Sequence, residues 1–181
     1  MKYYQYKSED YEPMHHDSKK DGKDINIIVK CGDGNGEQEL AAFRAVNNAL
    51  QRVDVPDEFY KVLFQEEQFD IGGIYNANTS TFVPREDGVY YVAGTVTFFP
   101  DNTEDPYRVR VEIRVNGVSV AADNDYWGEG FLVNAINVAT ILQLEAGDLV
   151  EIFLTSTTPG VIEQNSTEQQ VYSTRFEASK F

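Results

Sequence analysis

Residues 87–99 read DGVYYVAGTVTFF. Asp87-Gly88 is a turn pair. After it, Tyr90, Val92, Gly94, Val96 and Phe98 fall on one face of an extended chain, with Val89, Tyr91, Ala93, Thr95, Thr97 and Phe99 on the other. Nearly all of these residues are aromatic, β-branched or small, which suits a long strand and leaves neither side charged. Such a strand needs cover on both faces. The second layer of a sandwich can supply one cover and another subunit the other.

Downstream, residues 107–115 (YRVRVEIRV) place apolar side chains at every odd position and charged ones at every even position. That is a strand with one buried and one wet face. Asn116-Gly117 and a second apolar segment follow, the strongest short hairpin signal, because a type I′ turn needs positive φ at both central positions. Residues 122–130 (ADNDYWGEG) read as an acidic aromatic loop, and 131–144 as a β-rich run of one or two strands. Residues 145–148 read as a turn, 149–155 as a strand, 156–170 as a polar loop and 171–181 as the closing strand. Upstream, 41–46, 59–64 and 81–84 read as strands, with 53–57 as loop and 69–79 as irregular chain. Nine or ten strands with frequent turns and no helix predict an all-β sandwich.

Residues 1–36 read as an arm, and 37–181 as the domain. The arm is polar and Tyr-rich until residues 25–31 (INIIVKC), a short β-type segment closed by the glycine hinge of residues 32–36. Apolar strands on tethered arms add to exposed sheet edges, including those of neighbouring subunits. Ile25, Ile27, Ile28 and Val29 are therefore the candidate inter-subunit contacts, and a local hairpin is the alternative. The roles of Cys31 and of the pair His15-His16 stay open.

The chain of 181 residues carries 15 basic and 30 acidic side chains, net −15. Nucleic acid is excluded as a partner, because it selects a basic surface. No apolar run is long enough to span a membrane, and the first residues lack a secretory signal pattern. One cysteine cannot make an intrachain disulfide.

Six stretches together resemble the C1q-like domain of the C1q/tumour necrosis factor-like superfamily. They are Ala42-Phe43-Arg44-Ala45; Phe59-Tyr60-Lys61-Val62-Leu63-Phe64; Phe69-Asp70 with Thr81-Phe82-Val83-Pro84; Gly88-Val89-Tyr90-Tyr91-Val92; Val115-Asn116-Gly117; and residues 142–150, LQLEAGDLV. The resemblance implies a ten-stranded jelly-roll sandwich that assembles as a homotrimer around apolar, aromatic-rich strands. Tyr90, Tyr91, Val92, Phe98 and Phe176 are the inferred trimer core. It further implies a module that binds or builds surfaces on a cell, a spore or an appendage. A collagen-like stalk is missing from the sequence, and Phe176-Glu177-Ala178 stands where the family commonly has Phe-Ser-Gly.

The domain contains no His and no Cys, so no Ser-His or Cys-His pair can form in it, and no catalytic role is expected. Calcium is the candidate cofactor, through Asp101, Glu104 and Asp105 in one loop and Asp123 and Asp125 in another, with Glu129 nearby, because hard oxygen ligands suit it. The alternative is a pair of solvated acidic loops. Tyr126 and Trp127 are candidate anchors for a protein or glycan ligand, or else pack on the end of the sandwich.

Overall fold

A computed structural model describes residues 40–129, 134–164 and 174–181. The arm, its segment at residues 25–31 and the boundary at residue 36 lie outside the described residues. Thirteen strands follow one another with no helix among the described residues. They are β1 (Ala42–Val46), β2 (Gln51–Val53), β3 (Tyr60–Lys61), β4 (Glu66–Ile71), β5 (Tyr75–Asn76), β6 (Thr81–Phe82) and β7 (Gly88–Pro100), then β8 (Tyr107–Val115), β9 (Val118–Trp127), β10 (Asn134–Leu144), β11 (Val150–Ser156), β12 (Gly160–Ile162) and β13 (Arg175–Lys180).

They form two sheets packed as a jelly-roll sandwich. In the first, β7 is the hub. Its one edge pairs with β10 from Gly88↔Leu144 to Phe98↔Asn134. Its other edge takes β13 along Tyr90–Thr95 and β12 along Phe98–Pro100. β13 continues to β1 and then β4, and β12 to β2. The second sheet runs β5-β6-β11-β8-β9, with β3 on β11. All pairs are antiparallel, as hairpins and returning connections allow.

The period-2 reading of residues 107–115 holds. Tyr107, Val109, Val111 and Ile113 are buried in the core, and Arg108 is exposed. The turn after it has Asn116 at φ 51° and Gly117 at φ 81°, both positive as a type I′ turn requires.

Four local expectations change. Residues 122–127 are not a loop: β9 runs through to Trp127, because β8 offers a full ladder and an edge strand carries its acids into water. Residues 69–79 are not irregular throughout, since β4 pairs with β1 and β5 with β6. Of residues 59–64 only Tyr60–Lys61 pairs in a ladder. The polar loop at residues 156–170 contains β12.

Between the sheets sits an aromatic cluster. The Phe43 ring stacks on Tyr75 at 4.4 Å and meets Phe176 edge-on at 5.0 Å, and Phe64 lies 5.6 Å from Phe176. Gly94 lets the two layers close: a Cβ there would stand 2.8 Å from Ile152 Cδ1. Gly160 is tighter still, because a Cβ would strike the Phe99 carbonyl oxygen and the Phe98 ring. Backbone cannot yield as a side-chain tip does. Gly160→Ala is therefore expected to cost about 3 kcal/mol, the upper end for overpacking, measured as a fall in the urea midpoint.

Candidate interaction surfaces

The two sheets each turn one face inward and one outward. On the outward face of the first sheet, register builds rows across five strands. Ile71, Ala42, Ser179, Tyr91 and Ile141 form one row. Phe69, Arg44, Glu177, Ala93 and Ala139 form the next. Ile71, Tyr91, Ile141 and Phe69 are 49%, 38%, 62% and 46% exposed, two apolar pairs, Phe69 with Ile71 and Tyr91 with Ile141, separated by Ala42 and Ser179. Beside it Glu177 sits between Arg44 at 3.6 Å and Arg175 at 3.5 Å.

This face corrects the inferred trimer core. Tyr90, Val92, Phe98 and Phe176 are at most 1% exposed, inside the protomer's own sandwich. Only Tyr91 of the five reaches the outward face. The reason is the pleat: odd positions of β7 face out, even ones face β11 and β8. Nor is the outward side of β7 bare. Ala93, Thr95 and Thr97 are already buried, and Asn137 Nδ2 donates to Thr95 Oγ1 at 2.8 Å.

The outward face of the second sheet holds a cluster that the alternation announced but whose coupling it did not. Glu112 Oε1 accepts from Arg110 Nε at 2.7 Å, and its Oε2 accepts from Arg114 Nε at 2.9 Å. The Arg114 guanidinium carbon lies 4.3 Å from the Phe59 ring centre and 4.2 Å from that of Phe153. Such cation–π contacts fix the guanidinium in place. Burial pushes the Glu112 carboxyl up, but the hydrogen bonds from Arg110 and Arg114 outweigh it and hold the group below its ordinary value of 4.5. A folded value below the unfolded one means stability that is present above the ordinary value and lost as pH falls through the depressed one. Glu112→Gln is expected to flatten the acid side of a plot of Tm against pH, below about pH 4.5.

At one end of the sandwich, the register Tyr107↔Trp127 brings the loop after β7 beside the end of β9. Both acidic segments thus share an end. Three of their carboxylates, those of Asp101, Asp105 and Asp123, have hydrogen-bond partners. Asp101 takes Arg52 in a two-point bond of 2.9 and 2.7 Å, which lowers its pKa and raises that of the guanidinium. Asp105 accepts from Asn102 Nδ2 at 2.8 Å. Asp123 accepts from the Asn124 N–H at 2.8 Å, and with Asp125 it sits on a strand rather than in a loop. Glu104 is exposed, its backbone N–H bonded to Asn102. Among the described residues no three His, Cys, Asp or Glu side chains stand close enough to hold a metal ion.

Tyr126 and Trp127 part company. Tyr126 is 71% exposed, whereas Trp127 packs against the core. A strand pointing successive side chains to opposite faces makes this split unavoidable. Ile25, Ile27, Ile28, Val29, Cys31, His15 and His16 lie outside the described residues. No helix among the described residues is long and apolar enough to cross a membrane.

Comparison with known proteins agrees with this architecture. Murine APRIL, in its crystal structure at pH 5.0, superposes with a TM-score of 0.57 at 14% identity, over 78% of this chain and 99% of that one. The Eiger TNF of S. frugiperda gives 0.53 at 16% identity, over 80% and 94%. At such identity the likeness is one of fold. No curated protein matches the sequence. The C1q domain pattern matches residues 42–174, most of the chain. The chain belongs to the C1q domain family.

Proposed function

We propose that the chain is a non-catalytic structural or adhesive module, a homotrimer at a cell, spore or appendage surface. Domains of this family commonly form trimers and bind ligands or receptors, and are typically extracellular. The observation that carries the reading is the exposure of four large apolar side chains, Phe69, Ile71, Tyr91 and Ile141, on the outward face of the first sheet. A second copy is its occupant. Permanent interfaces of this kind bury upwards of about 2,000 Å². The arm would join trimers through Ile25, Ile27, Ile28 and Val29, making a subunit of a coat, an exosporium or a filament. Calcium stays outside this proposal, because Asp101 is already spent on Arg52.

Light scattering on the full chain and on a chain starting at Glu37 tests it. Polymers from the first and trimers from the second are expected. Trimers from both would remove the connector, and monomers from both would remove the trimer. A receptor- or ligand-binding head is the second reading, favoured by Tyr126 standing clear of the surface. Loss of ligand capture on Tyr126→Ala, with mass unchanged, would point to it.

A further inference from the structure

The tip of the β8–β9 hairpin combines a reactive dipeptide with an unusual fastening. In Asn116-Gly117 the next backbone nitrogen is unshielded, and nothing lies within 4 Å of where a Gly117 Cβ would stand. Yet the Asn116 side chain is tied at both ends. Its Nδ2 donates to Asp148 Oδ1 at 2.8 Å, and its Oδ1 accepts the Leu149 N–H at 2.9 Å. Its own N–H donates to the Leu149 carbonyl at 2.8 Å. A backbone N–H can only donate, so it fixes which end of the amide is oxygen.

We propose that Asn116 is a deamidation site held shut by these bonds, and that its conversion to aspartate or isoaspartate unfastens the β8–β9 hairpin from the start of β11. A base takes the Gly117 amide proton, and that nitrogen attacks Asn116 Cγ. The bond from Cγ to Nδ2 breaks and ammonia leaves, giving a five-membered imide. Water opens the imide at either carbonyl. One water enters and one ammonia departs, with no oxidant or cofactor.

The attack requires Cγ to swing over the Gly117 nitrogen, so the side chain must first leave Asp148 and Leu149. Once formed, a carboxylate at position 116 cannot donate to Asp148. It faces a like charge at hydrogen-bond distance, which is destabilising. Asp148 cannot easily turn away, since its Oδ2 accepts the Glu145 N–H at 2.8 Å. Isoaspartate also adds a backbone carbon to a turn whose two central residues both need positive φ.

The sequence supplies its own reference, a second Asn-Gly pair at Asn35-Gly36. The full chain and its Asp148→Ala variant are held at mildly alkaline pH, folded and in urea. Conversion is followed by peptide mass spectrometry and by isoaspartyl methyl transfer. In urea the two pairs should convert at similar rates. In the folded chain Asn116 should slow roughly tenfold or more, the factor set by an opening free energy of about 1.4 kcal/mol. Asp148→Ala should restore several-fold of that rate without loss of the β circular dichroism signal. The converted fraction, separated by charge, should exchange its Leu149 amide hydrogen faster. Equal rates folded and in urea, a folded Asp148→Ala with no acceleration, or unchanged Leu149 exchange after conversion would each overturn the proposal. Should the variant fail to fold, the exchange measurement on the converted wild type still decides.

Discussion

Phe176→Ala is expected to lower unfolding stability by about 3–5 kcal/mol, the range for removing a buried phenylalanine ring. Phe176 is fully buried, and its ring meets Phe43, Phe64 and Tyr75 at 5.0, 5.6 and 6.0 Å. Its neighbours cannot collapse into the gap. Phe43 is already stacked on Tyr75, and the Tyr75 hydroxyl is committed to the Phe64 carbonyl at 2.7 Å. The cavity therefore stays open, and cavity cost adds to the lost burial. Urea unfolding followed by Trp127 fluorescence measures it. A loss under about 1 kcal/mol would mean that the cluster repacks.

Ile141→Asp is expected to do the opposite: leave the protomer folded and dissolve the assembly. Ile141 is 62% exposed on the outward face of the first sheet, so a carboxylate there meets water in a lone protomer. In a trimer the same carboxylate would be buried without a partner, at a cost of several kcal/mol per copy. Light scattering should fall from the trimer mass to that of one chain while the circular dichroism of the β sandwich is unchanged. Retention of the trimer would move the interface to another face.

The fold was largely legible because its strands announce themselves in different ways. The alternation in β8 states both its type and its faces. Asn116-Gly117 states where it turns. The turns at Asp87-Gly88 and Gly147-Asp148 frame β7 and β11. Two of the misread segments share one trait, acidic side chains on strands that water can reach. β4 (EEQFDI) and the second half of β9 lie at sheet edges, where a carboxylate is no obstacle to pairing.

The candidate surface was less legible, for a reason intrinsic to β7. A strand apolar on both sides carries no mark of which side turns inward. Gly94 was the available signal, since a glycine amid bulky residues marks a close approach, here of Ile152. Taken so, it puts Tyr90, Val92 and Phe98 inside and leaves Tyr91 outside. The Glu112 cluster was visible as Arg-x-Glu-x-Arg along one face, although Phe59 and Phe153 come from distant segments that no local pattern links.

β13 does not lie at an edge. It is threaded between β1 and β7, paired with one from Ala42↔Ser179 to Val46↔Arg175 and with the other from Tyr90↔Lys180 to Thr95↔Arg175. Without residues 175–180, β1 has no partner on that side and β7 keeps an open edge along Tyr90–Thr95. The sheet is thus closed by a segment about 80 residues or more from the partners it joins, and it stays open until that segment docks. Long-range pairing of this kind is slow and exposes strand edges to other chains. Deleting residues 175–180 should therefore yield aggregate rather than a smaller sandwich, and a chaperone that holds unpaired strands should raise the yield of the intact chain.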